Sequence, residues 1–277
     1  MSTLKFFLLF LCLGASSWLG FSFPASAHDF WINPSNYSVQ AGEKTNISIM
    51  IGHPEDQNSW AISPHRVVAL RSVGPEGISD QQTLVSETDP KKPMTFSFNR
   101  DGVHVLTIET TSAYSELEAE KFNDYLDEEG LTPIKLDRTS KRKMSKPGTE
   151  IYSRRGKTII NVGNIGESDP SYVTTPLGLT LEVVPTSNPV RLQDGENLSA
   201  HIYYRGQIMS GVNVKLVSLD SDKGQVASQK SDSEGQVFFA KPDAGEWMLH
   251  VVWSDPMEDS EQADYDTIFS SLSFSIN

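Results

Sequence analysis

The 277-residue sequence holds a single cysteine, Cys12, close to its N-terminus. Beyond that position there is no disulfide and no thiol, which excludes thiol catalysis and thiolate metal ligands and leaves stability to core burial. Basic residues are also scarce, 23 Lys and Arg against 36 Asp and Glu, for a formal charge of -13. A surface that tracks phosphates needs concentrated positive charge to displace counterions, so nucleic acid is excluded as an expected partner. After residue 27 no apolar run approaches the roughly 20 residues of a membrane-spanning helix. The Gly-x-Ser-x-Gly and phosphate-loop patterns are absent too, and with them common signatures of hydrolases and nucleotide enzymes.

What is present begins with a leader. Lys5 supplies a positive start, Phe6 to Phe23 an apolar stretch, and Ala25-Ser26-Ala27 a small-residue cleavage pattern. The expectation is a signal peptide over 1–27, export to the periplasm, and a mature chain that starts at His28 with no membrane span.

The remainder reads as two similar halves. Asn33-Pro34 leads through Gly42-Glu43 to a strand from Thr45 to Ile51, and Asn188-Pro189 leads through Gly195-Glu196 to a strand from Asn197 to Tyr204. Alternating runs follow at Val212–Leu219, Gln225–Lys230, Gln236–Ala240, Glu246–Trp253 and Thr267–Ser275, separated by Asp-, Ser- and Gly-rich turns. The expected class is all-β: two immunoglobulin-like or transthyretin-like β-sandwich domains, 28–112 and 177–277, around a short helical, charged insert at 113–176. In that insert Ser115 and Glu118 read as a capping box, with Leu117, Phe122, Tyr125 and Leu126 as an apolar stripe and Gly130 as the stop of a helix over 116–129. The following basic segment, 135–157, reads as a solvated loop pairing with the acidic helix, or else as a docking surface for an anionic partner. Within it Glu150, Tyr152, Arg154 and Lys157 read as one polar face of a strand.

Five stretches carry a family resemblance: Ala27-His28-Asp29-Phe30-Trp31, Gly52-His53-Pro54, Phe122-Asn123-Asp124-Tyr125-Leu126 with Glu129-Gly130-Leu131, Glu150-Ile151-Tyr152-Ser153-Arg154 with Lys157, and Leu177-Gly178 through Glu182-Val183-Val184-Pro185 to Asn188-Pro189. In order and spacing the chain resembles the bacterial domain of unknown function 4198 family, which is similar to periplasmic components of cobalt and nickel uptake systems. The resemblance implies a metal-related periplasmic role.

The histidines supply the chemistry for such a role. None of the six forms a His-x-His or His-x-x-x-His pair, so a metal site has to be assembled in space. A terminal His28 offers its α-amine and its ring to one ion, and His53, at a strand end between Gly52 and Pro54, offers a second ring. That histidine brace suits a divalent transition metal, nickel, cobalt or copper. His104, His201 and His250 fall in strand patterns and read as structural imidazoles, and His65 as a loop residue.

The first functional reading is therefore an exported metal-binding protein, an accessory or substrate-binding component of nickel or cobalt uptake with a membrane permease as partner. The second is a metal-free module binding envelope protein or carbohydrate, suggested by Trp31, Trp60, Trp247 and Trp253. The third, and the only enzymatic one, is a copper oxygenase using His28 and His53.

Overall fold

The computed structural model describes residues 29–53, 58–220 and 223–277. Strands take up 49% of the described residues and helices 14%, and the expected all-β class of packed sheets holds. Its first small sheet starts from the alternation in Lys44–Ile51, where Thr45, Ile47 and Ile49 turn inward while Lys44 and Asn46 stay in water. This strand pairs antiparallel with Phe30–Pro34 and with Met94–Ser97. The second small sheet is built from Leu181–Pro185, Asn197–Tyr204, Gln207–Ile208 and Gln236–Ala240.

Between them runs one ten-stranded sheet to which both halves contribute. Its backbone order passes from Gln225–Lys230 through Asn213–Ser218, Gly245–Pro256, Tyr265–Ile276 and Gly148–Val162 to Gly102–Thr110, Val67–Gly74 and Gly77–Asp80. Period-two alternation sends neighbouring residues to opposite cores. Val105 and Ile159 pack with Leu181, Val183 and Ile202 under the second small sheet. Leu106 and Ile160 pack with Phe30, Ile32 and Ile49 under the first.

The segment 113–176 differs most from expectation. Residues Ala113–Leu117 form a strand against Gly148–Tyr152, so the helix starts later, at Ala119, and Ser115 and Glu118 do not act as a capping box. Alternation of exposed Tyr114 and Glu116 with buried Ser115 and Leu117 decides in favour of the strand. The basic segment is not a solvated loop. It forms a second helix, Thr132–Ser140, and then the strand Gly148–Val162 at the centre of the large sheet.

Nor do its charges share one polar face. Arg138 is fully buried, its guanidinium donating to the Asn123 side chain and to the carbonyls of Lys143 and Lys146. Arg154 and Lys157 stand an odd number of residues apart and so point to opposite sides of the sheet. Lys157 enters the second core, where its ammonium meets Glu182 at 2.8 Å with both side chains almost wholly buried. Glu182 also accepts from the backbone amides of Leu177, Gly178 and Leu179.

Breaking such a pair strands a charge in a dry core, at a cost of about 3–5 kcal/mol. We expect Lys157→Met to lose that much stability in urea unfolding, and Lys157→Met combined with Glu182→Gln to recover part of it, since no net charge then stays buried.

Candidate functional site

The first strand opens at Phe30, opposite Ile51, and one step earlier the Gly52 amide donates to the Asp29 carbonyl at 3.0 Å. Asp29 is thereby fixed at the mouth of the sheet with a buried side chain. Gly52, at a φ of +120°, turns the chain into the half-buried His53. Such a φ is open to glycine and strained for other residues.

The strand Gly245–Pro256 carries His250 beneath this mouth. His250 is 1% exposed, and its Nδ1 lies 3.1 Å from Asp29 Oδ1 but out of line for a hydrogen bond. Neither ring nitrogen has a hydrogen-bond partner among the described residues. Burial pushes the imidazole pKa down to about 4; Glu129 opposes the shift, while Lys215, Arg154 and His53 add to it. At neutral pH the ring is uncharged and its lone pair is available to an electrophile.

The third group comes from the end of the helix Ala119–Glu128. Gly130, at a φ of +68°, sits where a Cβ would lie 2.8 Å from the Asn213 side chain, so glycine is what lets the helix end settle onto the strand Asn213–Ser218. That contact sets Glu129, 3% exposed, with its carboxylate 2.9 Å from Lys215 Nζ. Burial raises the Glu129 pKa, against the pull of His250 and Lys215. Asp29, Glu129 and His250 each place a ligand atom within 4.8 Å of the others. One imidazole and two carboxylates form a nitrogen and oxygen donor set, matched to divalent nickel, cobalt, copper or zinc rather than to Cu(I).

Around this cluster lies a second layer of buried charge. The Arg154 guanidinium carbon sits 4.7 Å from the Tyr152 ring centroid, 5.2 Å from Trp60 and 5.3 Å from Phe269, an aromatic cage that takes the place of a carboxylate partner. Its Nε finds no hydrogen bond among the described residues. Glu150, four residues earlier, accepts from the Thr267 hydroxyl at 2.6 Å.

Of the residues the sequence singled out, His28 lies outside the described residues, so the histidine brace is not tested by geometry. His53 stands within electrostatic reach of His250 but is not one of the three clustered ligands. His250 is no half-exposed structural imidazole. Asp29 and Glu129 were not singled out, although both fall inside stretches that carry the family resemblance.

The family model for the Domain of unknown function (DUF4198) matches residues 25–255. The chain belongs to the DUF4198 family. No curated protein matches the chain. Among solved structures, the fibronectin(III)-like modules of Clostridium thermocellum CbhA align over 88% of this chain and 94% of theirs at 11% identity, with a TM-score of 0.19. Salmonella alpha-2-macroglobulin aligns over 90% of this chain at 11% identity and a TM-score of 0.24, and dimeric latent PorU from Porphyromonas gingivalis over 87% at 11% identity and 0.20. The DUF4198 chain spans only 15% and 20% of those two proteins. Superposition at this level carries no argument about what a DUF4198 protein does, so the site has to be argued from its own chemistry.

Burial raises the pKa of Glu150 from the usual 4.5 to about 7, offset in part by the Thr267 hydrogen bond and by Arg154. A carboxyl whose folded pKa is raised contributes stability that is complete below the unfolded value and is lost as pH rises through the folded one. We therefore expect the DUF4198 protein to lose up to ~3 kcal/mol from this group between about pH 4.5 and 7. Glu150→Gln should flatten that part of the profile in unfolding titrations across the same range.

Proposed function

We propose that this protein is an exported metal-binding protein, an accessory or substrate-binding component of divalent transition-metal uptake with nickel or cobalt as its cargo, and that the metal is held at Asp29, Glu129 and His250. The observation that carries the reading is a buried imidazole with no hydrogen bond on either nitrogen among the described residues, set between two buried carboxylates. An unsatisfied buried polar group costs about 1–3 kcal/mol, and coordination through a ring nitrogen removes that cost. A neutral imidazole also needs no proton displaced before it binds.

His53 and His28 are the further donors of this reading. Cleavage after Ala27 adds the His28 α-amine to the donors. The leader and the family resemblance support a periplasmic setting and delivery to a membrane permease.

Of the four rings that suggested the metal-free alternative, Trp60 and Trp253 are half-buried and two lie in the core. Trp31 is 0% and Trp247 4% exposed, so these rings build the core and form no platform for a sugar. A copper oxygenase would share the same donors and is distinguished by turnover with reductant and oxygen.

The test is calorimetric titration of Ni(II), Co(II) and Cu(II) into exported protein whose N-terminus has been checked by intact mass. His250→Ala, His53→Ala and a variant with one extra residue before His28 should each bind about tenfold or more weakly, on the order of 1.4 kcal/mol. No uptake by the unaltered protein overturns the reading. Loss with the His53 and N-terminal changes but not with His250→Ala moves the ion out of the buried cluster.

A further inference from the structure

Among the described residues, Lys215 is the one ammonium built into the proposed centre. In the large sheet it stands directly opposite His250, so both side chains project from the same face. Its own side chain is 6% exposed, and its Nζ lies 2.9 Å from the buried Glu129 and 3.9 Å from Glu128, whose side chain is 54% exposed. Glu128 and Glu129 are consecutive at the helix end and turn to opposite sides, one to water and one to the centre. A single ammonium therefore has two carboxylates within reach, a dry one and a wet one.

We propose that Lys215 is the counter-cation of the empty centre, and that an arriving divalent metal displaces its ammonium from Glu129 toward Glu128. The inference rests on the metal-binding reading above. Without a metal, Asp29 and Glu129 are two desolvated acids beside a neutral ring, and the Lys215 ammonium neutralises one of them. A metal that takes Glu129 as a ligand brings two positive charges up against that ammonium, which no longer has a free carboxylate inside. The flexible four-carbon stem of lysine permits a short swing, and the half-exposed Glu128 receives the charge where water solvates it. Arg154 cannot serve instead, because it is fixed among the rings of Tyr152, Trp60 and Phe269. The pair of glutamates thus makes an exchange position, in which the protein's own cation holds the site until the cargo replaces it.

The prediction has an unusual sign, since removing a buried polar residue should strengthen binding. Ni(II) titrated calorimetrically at fixed pH into Lys215→Met should bind at least tenfold more tightly than into the unaltered protein, while the metal-free variant melts at a lower temperature. Glu128→Gln alters an exposed group and should leave the metal-free melt unchanged, yet weaken Ni(II) binding about threefold by removing the receiving carboxylate. A residue that only held the fold together would give weaker or unchanged binding in Lys215→Met, and that result in a folded variant overturns the inference. Should Lys215→Met not fold, Glu128→Gln decides alone: affinity equal to that of the unaltered protein overturns the exchange. Absence of Ni(II) binding in the unaltered protein instead removes the metal-binding reading itself, and the two failures are told apart by that control.

Discussion

The parallel pairing of Gly148–Val162 with Tyr265–Ile276 is the constraint on which the remaining architecture depends. It is the seam at which strands of the first half and strands of the second become one sheet. Through it Arg154 faces Phe269 in register, and Tyr265–Ile276 in turn pairs with the strand of His250 on its other side. The cluster at the mouth therefore draws its members from the start of the first strand, the end of a helix in the middle of the chain, and a strand near the C-terminus. No one half contains the site.

The seam also explains why so much charge is buried in a fold of modest size. A central strand has both faces covered, so every polar residue on it must find a partner inside. Lys157 finds Glu182 on one side. On the other, Glu150 finds Thr267, and Arg154 makes do with aromatic faces. These solutions differ in kind. The first satisfies its groups fully and ties a loop to the sheet, whereas the second leaves an acid with a raised pKa and a guanidinium nitrogen without a partner, close to the unsatisfied ring of His250. Arg154 lies in register with Phe269, on the face of the sheet that carries His250.

Much of this was legible in the sequence where a local rule sufficed. The strands at 45–51, 197–204, 225–230 and 236–240 follow from alternation and turn residues, and the structure has them within a residue or so. The Gly130 stop was legible for the same reason, since a helix end with positive φ selects glycine. What could not be read locally was pairing. The basic run 135–157 resembles any solvated charged loop until one knows that its second part lies between Gly102–Thr110 and Tyr265–Ile276. Ser115 and Glu118 satisfy the capping-box spacing, but the strand partner of Ser115, Glu150, 35 positions on, outcompeted the cap. His250 looked like any imidazole in a strand, because its burial is set by residues far away in the chain. Asp29 and Glu129 offered only their places within stretches shared with a family.

The same seam dictates the order in which the chain can fold. Thr149 and Asp264, joined across its start, are 115 residues apart. Contacts of such long range are slow to form, because the entropy of closing the loop is lost before any pairing offsets it. Until Tyr265–Ile276 arrives, Gly148–Val162 lacks one of its neighbours and the strand of His250 has an open edge. The central sheet is therefore able to lock only when the C-terminal strand Tyr265–Ile276 is in place. The members of the cluster, Asp29, Glu129 and His250, are therefore brought together late in folding.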